Sequence, residues 1–269
     1  LYLYILTSNL FLSIYFIYNL VDQSHGRVIG ILVSYILFGI IALLGLIKMN
    51  LLSFQINTKD IKEALTFGIP LIPHTLGFLM VAVFDRILIS DKVGMEPLAV
   101  YLVAAQLAAG LNLIFESCNN AFMPWLFKRL KENNEKQLKE VVNFTYKCFL
   151  IFFIITCLSF IFSEPFIIFY AGPNYAIAGK ILPWLLLGSI FVGMYFLVVN
   201  YIIYTKQNGF LAMATVSTGV LNLSLIYFFL DFYGLIGAAY ATSLSLFLRF
   251  IIVWLIAIRK VKMPWLSSI

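Results

Sequence analysis

Several ionisable side chains in this sequence fall inside long apolar stretches, where a charge is costly and needs a physical reason. Arg249 lies in the last such stretch, and Ser245 stands about one helical turn before it. A stripe of small and polar residues faces protein or water rather than lipid. Because a guanidinium grips phosphate through two hydrogen bonds, Arg249 is a candidate phosphate ligand. The alternatives are a structural pair and snorkelling toward the cytoplasm.

Acidic residues occur at two further positions of this kind. Glu116 and Asn112 share a helical face near the inner end of their stretch, so they are candidates for coupling to a proton or sodium ion. The alternative for Glu116 is an interfacial carboxylate paired with a nearby base. Asp85 and Arg86 are adjacent, and we expect them to end a span on the outer side. They are a candidate gate or phosphate contact there, or an interfacial pair that ends the helix.

His74 lies in an apolar stretch that two prolines interrupt. Pro70 and Pro73 remove backbone donors, so we expect the helix to bend or break near His74. Broken helices often mark transport sites, and a histidine there can titrate near neutral pH. A core histidine with satisfied hydrogen bonds is the alternative. Asn222 belongs to a polar stripe with Thr215 and Thr218 in a later stretch, where such residues often pack against a neighbouring helix.

The composition sets the class of protein that positions these residues. The chain has 269 residues, of which 62% are hydrophobic and 11% are charged. Soluble domains carry about 25% charged residues, so the composition excludes a water-soluble globular enzyme. A helix needs about 20 apolar residues to cross the ~30 Å hydrocarbon layer. Eight runs meet this requirement, at roughly 1–20, 28–48, 64–84, 98–118, 143–163, 181–203, 209–230 and 234–257.

These eight runs predict an all-α integral membrane protein, because a backbone crossing lipid must satisfy its own hydrogen bonds. The basic residues lie in the gaps between runs, so the net charge of +6 indicates membrane orientation rather than a nucleic-acid partner. One set of gaps holds Lys48, Lys59, Lys62, Lys128, Arg129, Lys131, Lys136, Lys139, Lys206, Arg259, Lys260 and Lys262. The opposite set holds Arg27, Arg86, Lys92 and Lys180. Because twelve basic residues lie in the first set and four in the second, the carboxyl end and the 49–63, 124–142 and 204–208 loops are predicted to be cytoplasmic. We expect the 124–142 loop to lie on the membrane surface.

No set of residues with enzymatic spacing stands out. The chain has two histidines and three cysteines, without metal-ligand spacing, and it lacks a Gly-x-Ser-x-Gly elbow and a phosphate-binding loop. We therefore expect neither an enzyme nor a bound cofactor.

Two helix pairs resemble each other. Residues 9–16 and 26–30 have a counterpart in residues 222–228 and 234–239, six helices later. Because six is even, the two copies share an orientation, which is typical of a parallel repeat in transporters. A six-helix unit predicts that residues 1–50 are the last two helices of a first lobe, 51–63 a cytoplasmic linker and 64–260 a complete second lobe. The chain opens within an apolar run, so we expect about four helices to precede it.

Three motifs are similar to those of the oligosaccharide flippases of the multidrug/oligosaccharidyl-lipid/polysaccharide exporter superfamily. They are Phe67-Gly68-Ile69-Pro70-Leu71-Ile72-Pro73 followed by Asp85-Arg86, then Tyr170-Ala171-Gly172-Pro173-Asn174-Tyr175, and Gly234-Leu235-Ile236-Gly237-Ala238-Ala239. The resemblance implies two six-helix lobes around a central cavity. It also implies transport of undecaprenyl-diphosphate-linked sugar units, such as O-antigen or capsule repeat units, across the bacterial inner membrane. Glu116, Asn112 and Asn222 are then candidates for contact with the sugar. Membrane lipids are then the surrounding partner.

Other functions stay open at this point. A multidrug or cation antiporter of the same superfamily would favour acidic over basic residues in the membrane. A membrane enzyme of polysaccharide assembly usually needs a large extramembrane loop or a cluster of His and Asp residues. A scaffold without transport would not need polar stripes.

Overall fold

The protein is helical in a computed structural model that describes residues 2–19, 23–51, 57–69 and 71–265. Within these ranges it has nine α-helices, one short 3₁₀ turn at Pro173–Tyr175 and no strand. The α-helices are α1 (Tyr2–Asn19), α2 (Gln23–Lys48), α3 (Thr58–Gly68), α4 (Leu71–Lys92), α5 (Met95–Glu132), α6 (Glu135–Ala171), α7 (Ala176–Tyr204), α8 (Asn208–Tyr233) and α9 (Leu235–Lys260).

Seven segments of the described chain are long and apolar enough to cross a membrane. They are His25–Lys48, Thr58–Lys92, Met95–Glu132, Glu135–Ala171, Pro173–Tyr204, Asn208–Tyr233 and Leu235–Lys260. The protein is therefore a multi-pass membrane protein, as the composition predicts. The eighth span, expected over residues 1–20, coincides with α1 and stays a prediction.

The chain divides into two compact units, residues 1–61 and 62–269. In the first unit α1 packs along α2, and two glycines of α2 lie directly on the α1 backbone. A Cβ atom at Gly26 would lie 2.8 Å from the backbone of Phe16, and one at Gly30 would lie 2.6 Å from Cα of Ser13. Small residues at this spacing let two membrane helices approach closely.

The second unit is a bundle with α7 at its centre. α7 packs against α5, α6 and α9, while α8 packs against α4 and α9. The middle and carboxyl half of α7 are largely buried, whereas α6 exposes apolar side chains such as Leu150, Phe153 and Ile161. In a membrane protein an exposed apolar face of this kind contacts lipid.

Two apolar cores occupy opposite ends of this bundle. One, the inner core, packs α5 to α9 around Leu126, Val141 and Ile202, and the other, the outer core, packs the opposite ends of these helices around Tyr101, Ile181 and Ala238. The names inner and outer follow the orientation that the basic residues predict. Between the cores, three helices bury polar residues: Ser189 on α7; Thr215, Thr218 and Asn222 on α8; Thr242, Ser245 and Arg249 on α9. Val81, Val192 and Leu246 form a small apolar cluster in the same region. A polar layer therefore crosses the middle of the unit.

The prediction of a loop over residues 124–142 is wrong. α5 continues through Pro124 to Glu132, α6 begins at Glu135, and only Asn133 and Asn134 form the turn. The extension is stable because Leu126, Leu130 and Leu138 are buried in the inner core, and the Asn134 side chain caps α6 by accepting the Lys136 N–H at 3.0 Å. At 1.5 Å per residue, α5 is about 57 Å long and reaches well beyond the hydrocarbon layer.

Asp85 and Arg86 do not end a helix either. α4 runs on to Lys92, whose ammonium contacts the Asp231 carboxylate at 2.8 Å and donates to the Tyr227 carbonyl at 2.8 Å. Ile89, which lies between Arg86 and Lys92 in α4, is fully buried. These contacts extend the helix beyond the apolar run, and so the Asp85–Arg86 pair lies within α4.

The expected break near His74 falls between α3 and α4. α3 ends at Gly68 and α4 begins at Leu71, while Pro70 lies outside the described residues. Pro73 occupies the first turn of α4, where its missing N–H has no helical partner in any case. His74 is consequently in the first turn of a helix rather than in the middle of one.

The helix order predicts that the α5–α6 and α7–α8 turns share one side of the membrane. In a background with Cys118, Cys148 and Cys157 replaced by alanine, cysteines at Lys136 and Lys206 should react with an impermeant maleimide only after the cells are permeabilised. A cysteine at Asn174 serves as the opposite-side control and should react in intact cells. Labelling of Lys136→Cys and Lys206→Cys from opposite sides would contradict the topology.

Candidate functional site

A cavity of about 280 Å³ opens into the polar layer of the second unit. Four helices line it: α4, α5, α7 and α9. The lining residues are Val81, Asp85, Arg86, Tyr101, Ala105, Ala108, Ala109, Asn112, Glu116, Leu185, Ser189, Val192, Phe196, Thr242, Leu246 and Arg249. Five of the eight residues that the sequence singled out therefore share one cavity.

The Asp85 carboxylate is the most enclosed acid of the cavity, with 6% of the residue exposed. Its Oδ2 accepts the hydroxyl hydrogen of Tyr101 at 2.9 Å, and its Oδ1 accepts the backbone N–H of Arg86 at 2.7 Å. Tyr101 is itself buried in the outer core. Asp85 is thus held in place by α5 rather than projecting freely into the membrane surface.

Asn112 and Glu116 lie along the α5 wall of the cavity. Glu116 is exposed, and Asn112 is half-buried. The Asn112 Oδ1 atom is buried without a hydrogen-bond partner among the described residues. The rest of this wall is made by Ala105, Ala108 and Ala109, whose short side chains leave the space open.

Arg249 reaches across the bundle from α9 and is 1% exposed. Its Nε donates to the Thr218 hydroxyl of α8 at 3.1 Å, and its Nη2 donates to the Gly77 carbonyl of α4 at 3.3 Å. One side chain thereby joins three helices while it also lines the cavity. Hydrogen bonds to a charged donor are stronger than neutral ones, which favours this arrangement in a low-dielectric interior.

His74 lies outside the cavity lining but belongs to the same polar layer. Its Nδ1 is 3.1 Å from the Thr215 hydroxyl of α8, and its Nε2 is 3.4 Å from the Tyr195 hydroxyl of α7. This is the arrangement of a core histidine. His74 thus links α4 to α7 and α8. Arg249 links α9 to α4 and α8.

The crossing of α4 and α8 is as close as two backbones permit. A Cβ atom at Gly77 would lie 2.7 Å from the Thr215 carbonyl oxygen, and one at Gly219 would lie 3.1 Å from the Gly77 carbonyl oxygen. Because α4 carries no side chain at this point, its carbonyl at Gly77 remains within reach of Arg249. The contact of Arg249 with this carbonyl therefore depends on the close crossing that Gly77 allows.

The structure does not place Ser245 and Asn222 in the cavity. Ser245 is fully buried and donates to the Ala241 carbonyl of its own helix at 2.8 Å. Asn222 is also fully buried, and its amide has no hydrogen-bond partner in the described part of the chain. Both remain predicted site residues.

Sequence reasoning missed the alanine wall of the cavity and the hydrogen-bond partners. Residues 103–110 contain four alanines and a glycine, a run that signals an open or tightly packed helical face. Thr215 and Thr218 were visible as a polar stripe, but no sequence signal pairs them with His74 and Arg249. In the described residues no group of His, Cys, Asp and Glu side chains is arranged to hold a metal ion.

Comparison with known proteins identifies the family. The sequence profile described as "Polysaccharide biosynthesis protein" matches residues 5–180, more than half of the chain. The chain belongs to the polysaccharide biosynthesis protein family. No solved structure matches it.

Three curated bacterial proteins are among its relatives. A provisionally named protein 1 of the Lsg locus of Haemophilus influenzae is 23% identical over 76% of this chain and 51% of its own. An uncharacterised membrane protein of the same species is 27% identical over 70% of this chain and 48% of its own. A provisionally named O-antigen transporter of Shigella flexneri is 28% identical over 61% of this chain and 39% of its own. The chain spans about half the length, or less, of these curated relatives.

The close crossing at Gly77 predicts a stability difference between two glycine substitutions. Gly77→Ala should destabilise the protein by about 1–3 kcal/mol, because a methyl group there meets backbone that cannot move aside. Gly110→Ala is the matched control: nothing lies within 4 Å of its Cβ position, so helix propensity should make the change neutral or stabilising. Thermal unfolding of both variants in detergent provides the test. Equal unfolding midpoints for Gly77→Ala and the wild type would contradict the packing at this crossing.

Proposed function

We propose that this protein is part of a flippase that carries lipid-linked oligosaccharide across the bacterial inner membrane by alternating access. The passenger is an undecaprenyl-diphosphate-linked repeat unit of O-antigen, capsule or exopolysaccharide. The name of the Shigella flexneri relative supports a transport role, and the family supports a polysaccharide passenger. A protein of this class works as a carrier rather than as an enzyme.

The cavity is the observation that carries this proposal. It brings charged and amide side chains together with an opening in an otherwise apolar bundle, between two apolar cores. Polar groups inside a membrane protein are costly, and they persist where they line a path for a polar passenger. A purely structural membrane bundle has no need of such a cavity.

The domain organisation proposed from the sequence fits this mechanism. Residues 1–50 are then the last two helices of a first six-helix lobe, residues 51–63 a linker and residues 64–260 the second lobe. α3 begins at Thr58 within that linker. In alternating access, two lobes expose a shared site to one side of the membrane at a time.

We propose that Arg86 and Arg249 are the cations of the transport path and that Asp85 and Glu116 are its acids. Transport against a gradient needs an energy source, and a proton or sodium ion binding at such an acid is the proposed one. Asp85 is the better placed of the two because its carboxylate is enclosed and hydrogen-bonded to Tyr101.

A second function is a multidrug or cation antiporter, and one observation favours it. The cavity contains two carboxylates, Asp85 and Glu116, which would attract a cationic drug. Drug resistance on overexpression, together with normal surface glycan after deletion of the gene, would support this function over the flippase.

The central test of the flippase is the replacement of Arg249 in the full-length protein. Arg249→Ala should lower surface-glycan export about tenfold or more, because it removes one of the two cations of the proposed transport path, and a hydrogen bond to a charged group is worth about 1.5–3 kcal/mol. Arg259→Ala is the matched control, since Arg259 is exposed near the end of the same helix. Export is measured as surface glycan in a strain whose own gene is deleted, with membrane abundance measured in parallel.

Two results would contradict the proposed role of Arg249. Normal export by Arg249→Ala would show that the passenger does not need this side chain. Loss of export with equal loss of protein from the membrane would show that the arginine acts through folding alone. Arg249→Lys, which keeps the charge but not the planar fork, should fall between the wild type and Arg249→Ala.

A further inference from the structure

The charges that line the cavity sum to zero. Among the described lining residues, Asp85 and Glu116 are acidic, and Arg86 and Arg249 are basic. The chain as a whole is basic, with a net charge of +6, so the balance in the cavity is a local property. A site that binds a diphosphate would instead be expected to show an excess of cations.

Both cations of the cavity are already close to other groups. Arg249 donates to the Gly77 carbonyl and to the Thr218 hydroxyl. Arg86 is the neighbour of Asp85, the most enclosed acid. A diphosphate entering this space would lose its hydration and meet two carboxylates as well as two cations, and burying an uncompensated charge is costly.

The size of the cavity also limits what it can hold. A volume of about 280 Å³ lies at the lower end of the roughly 300–1,000 Å³ of pockets that hold drug-sized ligands. This is room for a single sugar ring and not for a whole oligosaccharide. Most of the lining is apolar, with Phe196, Leu185 and Val192 on α7, which suits the C–H face of a sugar ring.

The polar atoms of the α5 wall suit hydroxyl donors. The Asn112 side chain lines the cavity, and its Oδ1 is enclosed without a partner in the described part of the chain. A rotation of the amide would bring this acceptor to the cavity and within reach of a hydroxyl donor. Glu116 follows one helical turn later and presents further acceptors. A sugar hydroxyl donates to such acceptors, whereas a phosphate group only adds acceptors of its own.

We propose that this cavity binds one uncharged sugar ring of the passenger, through Asn112 and Glu116, and that the diphosphate is held elsewhere. The proposal rests on the proposed flippase function and specifies which part of the passenger the second unit recognises. A sugar that carries a carboxylate is disfavoured at this subsite, because it would face Asp85 and Glu116.

The first experiment fills the cavity or removes its free acceptor in the full-length protein. Ala109→Leu and Asn112→Leu should each reduce glycan export about tenfold, in a strain that lacks its own copy of the gene. Ala121→Leu and Asn120→Leu make the same chemical changes at exposed positions of α5 outside the cavity lining, and they should export normally. Membrane abundance and the unfolding midpoint in detergent are measured for all four variants.

The second experiment separates sugar from phosphate with soluble probes. Purified full-length protein in detergent is mixed with glucose, galactose, N-acetylglucosamine, glucuronate or inorganic pyrophosphate. Saturation-transfer NMR reports binding of the sugars, and broadening of the phosphorus NMR line reports binding of pyrophosphate. At least one neutral sugar should bind, with its signal lost in Ala109→Leu and Asn112→Leu but kept in Ala121→Leu and Asn120→Leu. Glucuronate should give a weaker signal than the neutral sugars, and any pyrophosphate signal should be unaffected by the four substitutions.

The outcomes distinguish this inference from the proposed function. If deletion of the gene leaves glycan export intact, the flippase function fails. If export requires the protein but Ala109→Leu and Asn112→Leu export normally, only the sugar subsite fails. Pyrophosphate binding that disappears in these two variants, or no binding of any neutral sugar to the wild type, would likewise overturn the subsite.

Discussion

The second unit depends on keeping a buried arginine satisfied in the middle of an apolar bundle. A charged side chain in the membrane is tolerated only where protein or water supplies partners. Arg249 finds the Thr218 hydroxyl and the Gly77 carbonyl, and each of these requires a particular neighbour. The carbonyl is within reach because Gly77 has no side chain, and Thr218 faces inward on the helix that crosses α4 at this point. The polar layer therefore follows from a few backbone and side-chain constraints rather than from a general excess of polar residues.

This layer separates the two apolar cores and at the same time fastens α4. His74 and Gly77 join α4 to the rest of the bundle at its inner half, and Lys92 joins its outer end to Asp231 and Tyr227 of α8. Between these attachments α4 presents Asp85 and Arg86 to the cavity. The salt bridge of Lys92 is partly exposed and contributes little to stability by itself, so the buried contacts at Gly77 dominate.

Much of the fold follows from the sequence because membrane helices obey a simple length rule. The apolar runs predict where the helices cross, and the placement of lysine and arginine predicts their direction. The helix ends were predicted less well. α4 passes Asp85 because Lys92 finds partners on α8, and α5 passes Pro124 because Leu126 and Leu130 are buried against other helices. Both causes are tertiary contacts, which hydropathy does not report.

The candidate site shows the same division between local and tertiary information. Charge in an apolar run identified Arg249, Asp85 and Glu116, and the structure brings these residues into one cavity. The hydrogen bond of Tyr101 to Asp85 and that of Thr215 to His74 were not predictable, because the paired residues are distant in the sequence or in separate helices. Ser245, on the same α9 face as Arg249, turned out to bond within its own helix. Periodicity identifies a face, but it does not identify what that face meets.

The most direct test of a wet polar layer inside an apolar bundle is the reactivity of a cysteine placed at Ala109. In a background without Cys118, Cys148 and Cys157, Ala109→Cys should react with a small charged methanethiosulfonate, because the cavity admits water. Leu150→Cys, on the exposed apolar face of α6, should not react, since lipid covers it. An unreactive cysteine at position 109, or equal reactivity at positions 109 and 150, would contradict the existence of this polar path.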